Sequence, residues 1–558
     1  MSESENEERF IPKSILCWPE YSLASLTSDL IAGITVGLVA LPLAMAFAIS
    51  SGVPPQSGIY CAIVAGFLIS ALGGSRTQIG GPTGAFVVVV SGIVAAHGID
   101  GLYMCTLMAG VILIVLGVTG LGTSVKYIPR PVVIGFTNGI AVLIASTQLK
   151  DFFGLQIEKV PGDFIGRMNS VLTHLPSLST SATILSTLSL AGIVVCKKLI
   201  PKIPGSIIVL ILGTLAANIF GLPIETIDTR FGGIPQGLPH VVFPRFHPDL
   251  ILSLLSPTIT VAMLGAIESL LSAVVADRMC GDRHNPNVEL FAQGVANVFS
   301  PLVGGLPATG AIARTATNIR SGAKSPIAGM VHALTLLAIL LFAAPLAGRV
   351  PLAVLAAILL VVSYNMGEWH EIPSILRLSR SSIIVWAITF ALTVLADLTV
   401  AVEAGMAMAA LLYIRKVTHT TTIIEVTPEH VAKDVAHSLQ TNPIPPGVIV
   451  FRIHGPFLFG ATEKLDIIYE RLATLPPIVI MRLRHMSAID ATGLHALQTL
   501  CEALNKSGRT MLVCGMRDQP ARFLAQAKFH ETISRDNLCD SLSIALARAR
   551  ELLIKGPK

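Results

Sequence analysis

Between Asp29 and Lys416 the chain is a succession of apolar segments separated by short polar loops. We count about fourteen segments, most of them close to the roughly 20 residues that a helix needs to cross a bilayer. Charged residues make up only 13% of the 558-residue chain, whereas a soluble domain carries about 25%. This pattern predicts a polytopic α-helical membrane protein in contact with a lipid bilayer.

Several other classes of protein are excluded at this stage. The formal net charge of +5 is small and spread over loops, so no nucleic-acid partner is expected. The eight cysteines occur singly and never in a C-x-x-C pair, so we expect no metal site and no cofactor. Because no Walker loop, H-E-x-x-H motif or nucleophile elbow occurs, we expect no catalytic residue and no enzyme activity.

Basic residues indicate how the apolar segments are oriented. They follow the even-numbered segments, for example at Lys126 and Arg130 after the fourth and at Arg415 and Lys416 after the last. The positive-inside rule places these loops, and therefore both termini, in the cytoplasm. Residues 1–28 lack the basic and apolar regions of a secretory signal peptide and are predicted to be a cytoplasmic N-terminal segment of a plasma (inner) membrane protein.

The third and tenth apolar segments are short and begin just after glycine and proline. Thr83-Gly84-Ala85 opens the third, and the same tripeptide, Thr309-Gly310-Ala311, opens the tenth, 226 positions later (309 − 83). Pro42 and Glu268 each lie 41 residues before their tripeptide. Segments 1–3 therefore correspond to segments 8–10, and the odd number of segments between them gives the two halves opposite orientations. We predict a seven-plus-seven inverted repeat, an architecture of secondary transporters.

The two short segments also predict a binding site. A helix that starts in the middle of a membrane leaves free backbone N–H groups and a positive dipole end. Two such starts facing each other would hold a small anion, and the hydroxyls of Thr83 and Thr309 are further donors. The alternative is that the small residues only allow helices to pack closely.

Two charged residues lie at apparent membrane depth near these segments. Arg314 would give the site a positive field that favours anions, and intramembrane arginines are usually paired or functional. Glu268, near the middle of the eighth segment, would exchange a proton, or would ligate Na⁺ together with Ser272 one helical turn on. The alternative for both charges is a fixed structural pair between Arg314 and Glu268.

The composition changes after Lys416. Residues 417–446 read as a polar linker, and residues 447–558 as a soluble α/β domain in which strands and helices alternate, with helices against a mixed or parallel sheet. After the second predicted strand, Asp490 and Thr492 are placed to cap the next helix. The alternative is a phosphoacceptor role for Thr492 or a loop that faces a nucleotide.

The chain resembles the SulP family of anion permeases, the bacterial relatives of animal solute carrier family 26. The resemblance covers nearly the whole chain, and the C-terminal part is similar to the STAS domain of these proteins. The motifs that carry it are DLIAGITVGLVALPLAMAFA (29–48), GGSRTQIGGPTGA (73–85), LGAIESLLSA (264–273), NIRSGAKSP (318–326) and IDATGL (489–494).

The resemblance implies a transmembrane transporter domain over residues 29–416, divided into core and gate parts, and a cytoplasmic STAS domain over residues 447–558. It also implies a homodimer, and a possible cytoplasmic partner for the STAS domain. The substrate would lie between the starts of segments 3 and 10. The residues that this assigns to the substrate are Thr83, Gly84, Ala85, Phe86, Gly310, Ala311, Ile312 and Arg314.

By the same resemblance, Glu268 is the ion-coupling position, and a glutamate there favours H⁺ over Na⁺. Ala313 stands where some relatives have serine, and Thr492 stands where stand-alone STAS proteins have a phosphoacceptor serine. We therefore expect a secondary transporter of small inorganic or organic anions, namely sulfate, a dicarboxylate or bicarbonate, working as an H⁺ symporter. The alternatives are an uncoupled anion channel or exchanger, and a signalling protein whose output is the STAS domain.

Overall fold

The structure is a computed structural model, which describes residues 10–122, 129–157, 160–199, 204–239, 241, 245, 247–377, 379–396, 398–426 and 444–555. The chain divides into two compact units, Met1–Ala407 and Met408–Lys558. Each unit is described by itself below.

Helices make up most of the described part of the first unit. Seven described helices are long and apolar enough to cross a membrane, and three shorter helices are also apolar. The elements are α1 (Lys13–Leu16), α2 (Leu23–Ser50), α3 (Pro55–Leu72), β1 (Gly80–Gly81), α4 (Ala85–Val118), α5 (Arg130–Phe153), α6 (Phe164–Thr173), α7 (Thr180–Leu199), α8 (Gly205–Ile219), α9 (Ile227–Phe231), α10 (Ile251–Cys280), α11 (Pro286–Phe299), β2 (Thr309–Gly310), α12 (Ile312–Arg320), α13 (Ile327–Phe342), α14 (Ala344–Gly348), α15 (Leu352–Met366), α16 (Ile372–Leu376), α17 (Arg380–Leu395) and α18 (Leu398–Thr420).

A helix lies at each apolar segment of the sequence, with one difference from the prediction. The third and fourth segments are both contained in α4, which is broken at Gly98. Gly98 has φ 70° and ψ −172°, a conformation that glycine adopts at little cost and other residues avoid. The break separates the two segments without a loop between them. The number of fourteen membrane crossings stays a prediction.

The packing of the helices repeats between the two halves of the unit. Helix α2 packs on α13, and its counterpart seven segments later, α10, packs on α4. In the same way α3 packs on α13 while α11 packs on α4, and α5 packs on α17 while α15 packs on α7. Equivalent segments therefore make equivalent contacts, as a structural repeat requires.

Close helix contacts in this unit depend on small residues. At Gly58 of α3, an added Cβ atom would collide with the carbonyl oxygen of Ala44 in α2. Any side chain at this position would push the two backbones apart. Packing of this kind, with backbones in contact across small residues, is typical of helices within membranes.

The second unit contains a five-stranded sheet in the order β3-β4-β5-β6-β7. Strands β4 to β7 are parallel to one another, and β3 is antiparallel to β4. Its elements are β3 (Thr422–Glu425), β4 (Val448–Phe457), α19 (Asp466–Tyr469), β5 (Ile478–Ile489), α20 (Ala491–Lys506), β6 (Thr510–Cys514), α21 (Asp518–Gln526), β7 (Leu538–Cys539) and α22 (Leu542–Lys555).

Separate buried clusters cover the two faces of this sheet. Val450, Ile480 and Leu512 pack with the apolar side of α22. Phe451 and Met481 point to the opposite face, into the cluster that includes apolar side chains of α20. Because successive residues of a strand alternate between faces, the predicted strands produce this two-sided burial directly.

The sheet begins earlier in the chain than the sequence indicates. Strand β3 lies inside the range 417–446 that was assigned to a linker, and α18 continues to Thr420. Ile423 of β3 is 7% exposed and joins the core of the sheet, so apolar burial stabilises this short strand. Residues 427–443 of the assigned linker lie outside the described residues.

Candidate functional site

Two short extended pieces bring the starts of the broken segments together. Strand β1 pairs with β2 in antiparallel fashion, with Gly80 opposite Gly310 and Gly81 opposite Thr309. Helix α4 begins just after β1, and α12 begins just after β2. Backbone pairing therefore holds two helix N-termini side by side, although 226 residues separate the matching tripeptides.

Backbone N–H groups at both helix starts have no hydrogen-bond partner among the described residues. In α4 these are the N–H groups of Gly84 and Ala85, since the first bonds of the helix come from the next two residues. In α12 they are those of Ile312, Ala313 and Arg314. Neither helix has a side-chain cap. The described residues therefore leave these five donors unsatisfied.

Two of the predicted binding residues use their N–H groups elsewhere. Gly310 donates to the hydroxyl of Ser269 at 3.1 Å, and Ala311 donates to the carbonyl of Ile79 at 2.9 Å. Their backbone donors hold the strand pair in place. The open donors of the tenth segment begin one residue later, at Ile312.

The two charged residues predicted for the site contact consecutive residues of the third segment. Arg314 is 3% exposed, and its Nη2 donates to the carbonyl of Pro82. Glu268 is half-buried, and its Oε2 accepts a hydrogen bond of 2.8 Å from the hydroxyl of Thr83. Within the described residues, Arg314 and Glu268 form no ion pair with each other.

Part of the arginine is left without a partner. Nη1 of Arg314 is buried and has no hydrogen-bond acceptor among the described residues. A Cβ atom on Gly81 would lie 2.8 Å from this nitrogen. Since a buried charged donor without an acceptor is costly, an anion close to Nη1 would be strongly favoured.

Ser272 contacts the tenth segment, and its role in ion coupling stays a prediction. It is fully buried, and its hydroxyl donates to that of Thr315 at 3.2 Å. Thr315 in turn accepts the N–H of Ile79 at 3.0 Å. Ser272 thus joins α10 to α12, and no contact between its hydroxyl and the carboxylate of Glu268 is present among the described residues.

Further polar residues of the site were missed by the sequence analysis. Ser269 pairs with the hydroxyl of Thr309 at 2.6 Å, and Nε2 of Gln78 donates to the carbonyl of Ser269 at 3.3 Å. Asn297 donates to and accepts from the backbone of Ala308, both at 2.8 Å. For Ser269 and Asn297 the sequence signal was a polar residue within an apolar segment, whereas Gln78 lies in the loop before the third segment.

The remaining predicted residues divide by accessibility. Ile312 is half-buried and Ala313 is exposed, so this side of α12 is open.

Phe86 is 3% exposed and lies near Gly265 of α10. A Cβ atom on Gly84 would lie 2.9 Å from Cδ1 of Ile144 and 2.9 Å from Sδ of Met366. Helices α5 and α15 therefore close over the start of α4 at Gly84.

In the second unit, Asp490 caps α20 as predicted. Its Oδ1 accepts the N–H of Gly493 at 2.8 Å, and its Oδ2 accepts the N–H of Phe459 at 3.0 Å. Thr492 is exposed and makes no capping bond among the described residues. No group of His, Cys, Asp or Glu side chains within the described part of the chain could hold a metal ion.

Comparisons with known proteins agree with this architecture. A family model described as the sulfate permease family matches residues 26–389, and a STAS domain model matches residues 441–545. The second match includes residues of the assigned linker.

Individual relatives match over nearly their full length. YvdB from Bacillus subtilis (strain 168), named as a candidate sulfate transporter, is 39% identical over 93% of this chain and 97% of its own. The bicarbonate transporter BicA from Picosynechococcus sp. is 30% identical over 94% of this chain and 95% of its own. The structure of murine Solute Carrier 26 family member A9, an anion transporter in the inward-facing state, has a TM-score of 0.86 at 19% identity, covering 99% of this chain and 96% of that one. That likeness shows the fold.

Proposed function

The chain belongs to the sulfate permease family, and we propose from this premise that it is a secondary transporter of small anions. A helical membrane domain and a C-terminal STAS domain make up the protein, and transport rather than enzyme activity is the function of its named relatives. The anion would bind between the starts of α4 and α12.

One observation supports the proposal that the anion binds at the two helix starts. Five unpartnered N–H groups at two adjoining helix starts lie beside a buried arginine whose Nη1 has no acceptor among the described residues. Helix N-termini attract anions through their free donors and their dipoles, and Arg314 adds a full positive charge. A cation would be repelled by the same arrangement, which supports an anionic substrate.

The geometry also supports a coupling role for Glu268. Its carboxylate is half-buried and is bound to Thr83, at the start of α4, rather than neutralised by Arg314. A carboxyl group in this position changes its charge when it takes up a proton, and an incoming anion favours the protonated state. We therefore infer anion–H⁺ symport, with Na⁺ coupling as the alternative to be tested.

The positive charge of the site and its place between two helix starts limit the substrate to a small anion. The site would accept an anion that fits between two backbone turns, such as sulfate, bicarbonate or a small dicarboxylate. BicA is a bicarbonate transporter by name, and YvdB is named for sulfate. Both remain candidates for this chain, together with dicarboxylates.

Proteoliposomes that contain the purified protein test this function. Uptake of radiolabelled sulfate, bicarbonate and a dicarboxylate would be measured at two pH values, with and without Na⁺. We expect one of these anions to accumulate when the outside is acidic and the membrane carries an inward proton gradient. Flux that does not depend on the proton or Na⁺ gradient would contradict coupling and indicate an uncoupled channel or exchanger. The absence of flux for every anion would contradict transport.

The cellular setting is part of the same proposal. We infer a plasma (inner) membrane location with both termini in the cytoplasm, because basic residues follow the even-numbered segments. A homodimer and a cytoplasmic partner for the STAS domain are inferred from the resemblance to the family.

A further inference from the structure

A side-chain hydrogen bond joins α2 to α5 near the ends of both helices. Nε2 of Gln148 donates to the hydroxyl of Ser50 at 3.0 Å. Ser50 is the last residue of α2, and Gln148 lies in the last turns of α5. The same nitrogen donates within α5, to the hydroxyl of Thr147 at 2.6 Å. Gln148 is buried in an apolar helix, so its amide would be costly there without such partners.

The two joined helices belong to different groups of packed helices. Helix α2 packs mainly on α3 and α13, whereas α5 packs mainly on α15 and α17. The contact between α2 and α5 themselves is small by comparison. In secondary transporters one group of helices moves against another, so that the substrate site opens to each side in turn. A hydrogen bond that crosses the boundary between two groups is therefore placed to control such a movement.

The same two helices cover the start of α4, about one turn before this hydrogen bond. A Cβ atom on Gly84 would lie 3.2 Å from Cε1 of Phe47 in α2, besides its close approach to Ile144 in α5. Phe47 precedes Ser50 by three residues, which is about one helical turn. Ile144 precedes Gln148 by four residues, again about one turn. The start of α4 is thus covered first by an apolar layer and then by a polar one.

Both layers lie toward the side of the membrane on which α2 and α5 end. These helices are the first and fifth segments, and the positive-inside rule assigns the ends of odd-numbered segments to the outside. On this assignment, an anion that leaves the start of α4 for the outside has to pass both layers. At the start of α12, in contrast, Ala313 is exposed. The two helix starts therefore differ in how far they are covered.

We propose that the hydrogen bond between Gln148 and Ser50 is the latch of an outer gate, and that it has to break before the anion site opens to the outside. We call this bond the outer latch. The inference rests on the proposed transport function, because a transporter has to open its site on both sides in turn. An uncharged hydrogen bond between membrane helices is weak, so it favours the closed form and still breaks in each transport cycle.

The test measures the accessibility of a cysteine placed behind the outer latch. Ile144→Cys, in full-length protein whose eight native cysteines are replaced, puts a thiol in the apolar layer. Right-side-out and inverted vesicles are treated with a membrane-impermeant maleimide, and the rate of labelling is followed. Gln148→Leu and Ser50→Ala each remove the outer latch. The matched control is Ser51→Ala, which removes a buried hydroxyl that bonds within α2, to the carbonyl of Phe47 at 2.7 Å.

We expect each latch variant to be labelled about 3- to 10-fold faster from the outside, as for the loss of one uncharged hydrogen bond between membrane helices. The double variant should gain no more than either single variant, because both substitutions remove the same bond. Ser51→Ala should react at the rate of the reporter protein alone. Labelling from the cytoplasmic side should not increase in any variant.

Three results would overturn the proposal. They are unchanged labelling from the outside in both latch variants, an equal increase in Ser51→Ala, and an equal increase from both sides of the membrane, which would mean that the helices had only loosened. The readout is accessibility and needs no flux. A protein that takes up no anion would therefore contradict the proposed function, while the labelling rates would still decide whether the outer latch exists.

Discussion

The hydroxyl of Thr83 donates a hydrogen bond of 2.8 Å to Glu268. This bond joins the first residues of the third segment, where the anion is proposed to bind, to the acidic residue of the eighth. The neighbouring carbonyl, that of Pro82, accepts a hydrogen bond from Arg314. One turn of backbone therefore contacts both charges, and a change of charge at Glu268 acts directly on the start of α4.

Replacement of Glu268 tests coupling. In Glu268→Gln the amide oxygen still accepts from Thr83, so the local geometry is kept while the titrating group is lost. We expect proton-driven accumulation of anion to be abolished and anion exchange to continue, both measured with radiolabelled anion in proteoliposomes. Accumulation at the wild-type level would show that Glu268 does not couple transport to protons.

Replacement of Arg314 tests the positive field of the site. Arg314→Ala removes the charge and the Nη1 donor, and we expect anion affinity to fall about 10- to 100-fold, as for loss of one charged hydrogen bond of about 1.5–3 kcal/mol. Binding would be measured by titration calorimetry on the purified protein.

A matched control for Arg314 lies about two helical turns from the proposed donors, at the end of the same helix. Arg320→Ala removes an exposed charge from α12 and should leave the affinity unchanged. An Arg314→Ala isotherm that superimposes on the wild-type curve would refute the assigned role.

Gly84 should tolerate no side chain because α5 and α15 close over it. In Gly84→Ala the new methyl group would lie 2.9 Å from Cδ1 of Ile144 and 2.9 Å from Sδ of Met366. Overpacking of this kind costs about 1–3 kcal/mol, so we expect a slower initial rate of transport and a lower unfolding temperature.

Ile144→Val removes Cδ1 and should relieve this contact when it is combined with Gly84→Ala. The double variant should recover part of the rate, and Gly92→Ala, in open space on the same helix, should have no effect. If the double variant transports no better than Gly84→Ala, the contact with Ile144 is not the cause of the defect.

Cysteine labelling tests the predicted orientation. Cys280 is exposed at the end of α10, the eighth segment, whose exit is predicted to be cytoplasmic. A variant that keeps only Cys280 should react with a membrane-impermeant maleimide in inverted vesicles and not in right-side-out vesicles. Labelling in right-side-out vesicles would reverse the predicted orientation.

The control for labelling is a variant that keeps only Cys514. Burial raises the pKa of Cys514 to about 12, so its reactive thiolate is almost absent near neutral pH. This variant should stay unlabelled in both kinds of vesicle until it is denatured. Its reaction in native vesicles would show that the STAS core opens.

Several parts of the candidate site were predictable because they follow from local sequence. Glycine and proline before a short apolar segment predict a helix that starts within a membrane, and the two matching tripeptides indicate that this happens twice. Arg314 and Glu268 stood out because charged residues are rare within apolar segments. That Asp490 caps the next helix was also predictable, because an N-cap residue acts within one helical turn.

Partners distant in sequence were not predictable. The structural pair of Arg314 with Glu268, which the sequence analysis gave as the alternative, is absent among the described residues, since each of them contacts backbone or hydroxyl groups of residues 82 and 83. The hydrogen bond from Ser272 to Thr315 was likewise not predicted. A side chain's hydrogen-bond partner depends on which helices cross and at what height, and a single sequence carries no record of this.

The sequence by itself determined the membrane class, the repeat and the two helix starts, because these depend on hydrophobic length and local backbone preference. Only the tertiary structure decided which donors stay free. Pairing of β1 with β2 uses the N–H of Ala311, and Ser269 uses that of Gly310. The open donors therefore begin at Ile312, because a hydrogen-bond donor can serve a ligand only where the fold has not already satisfied it.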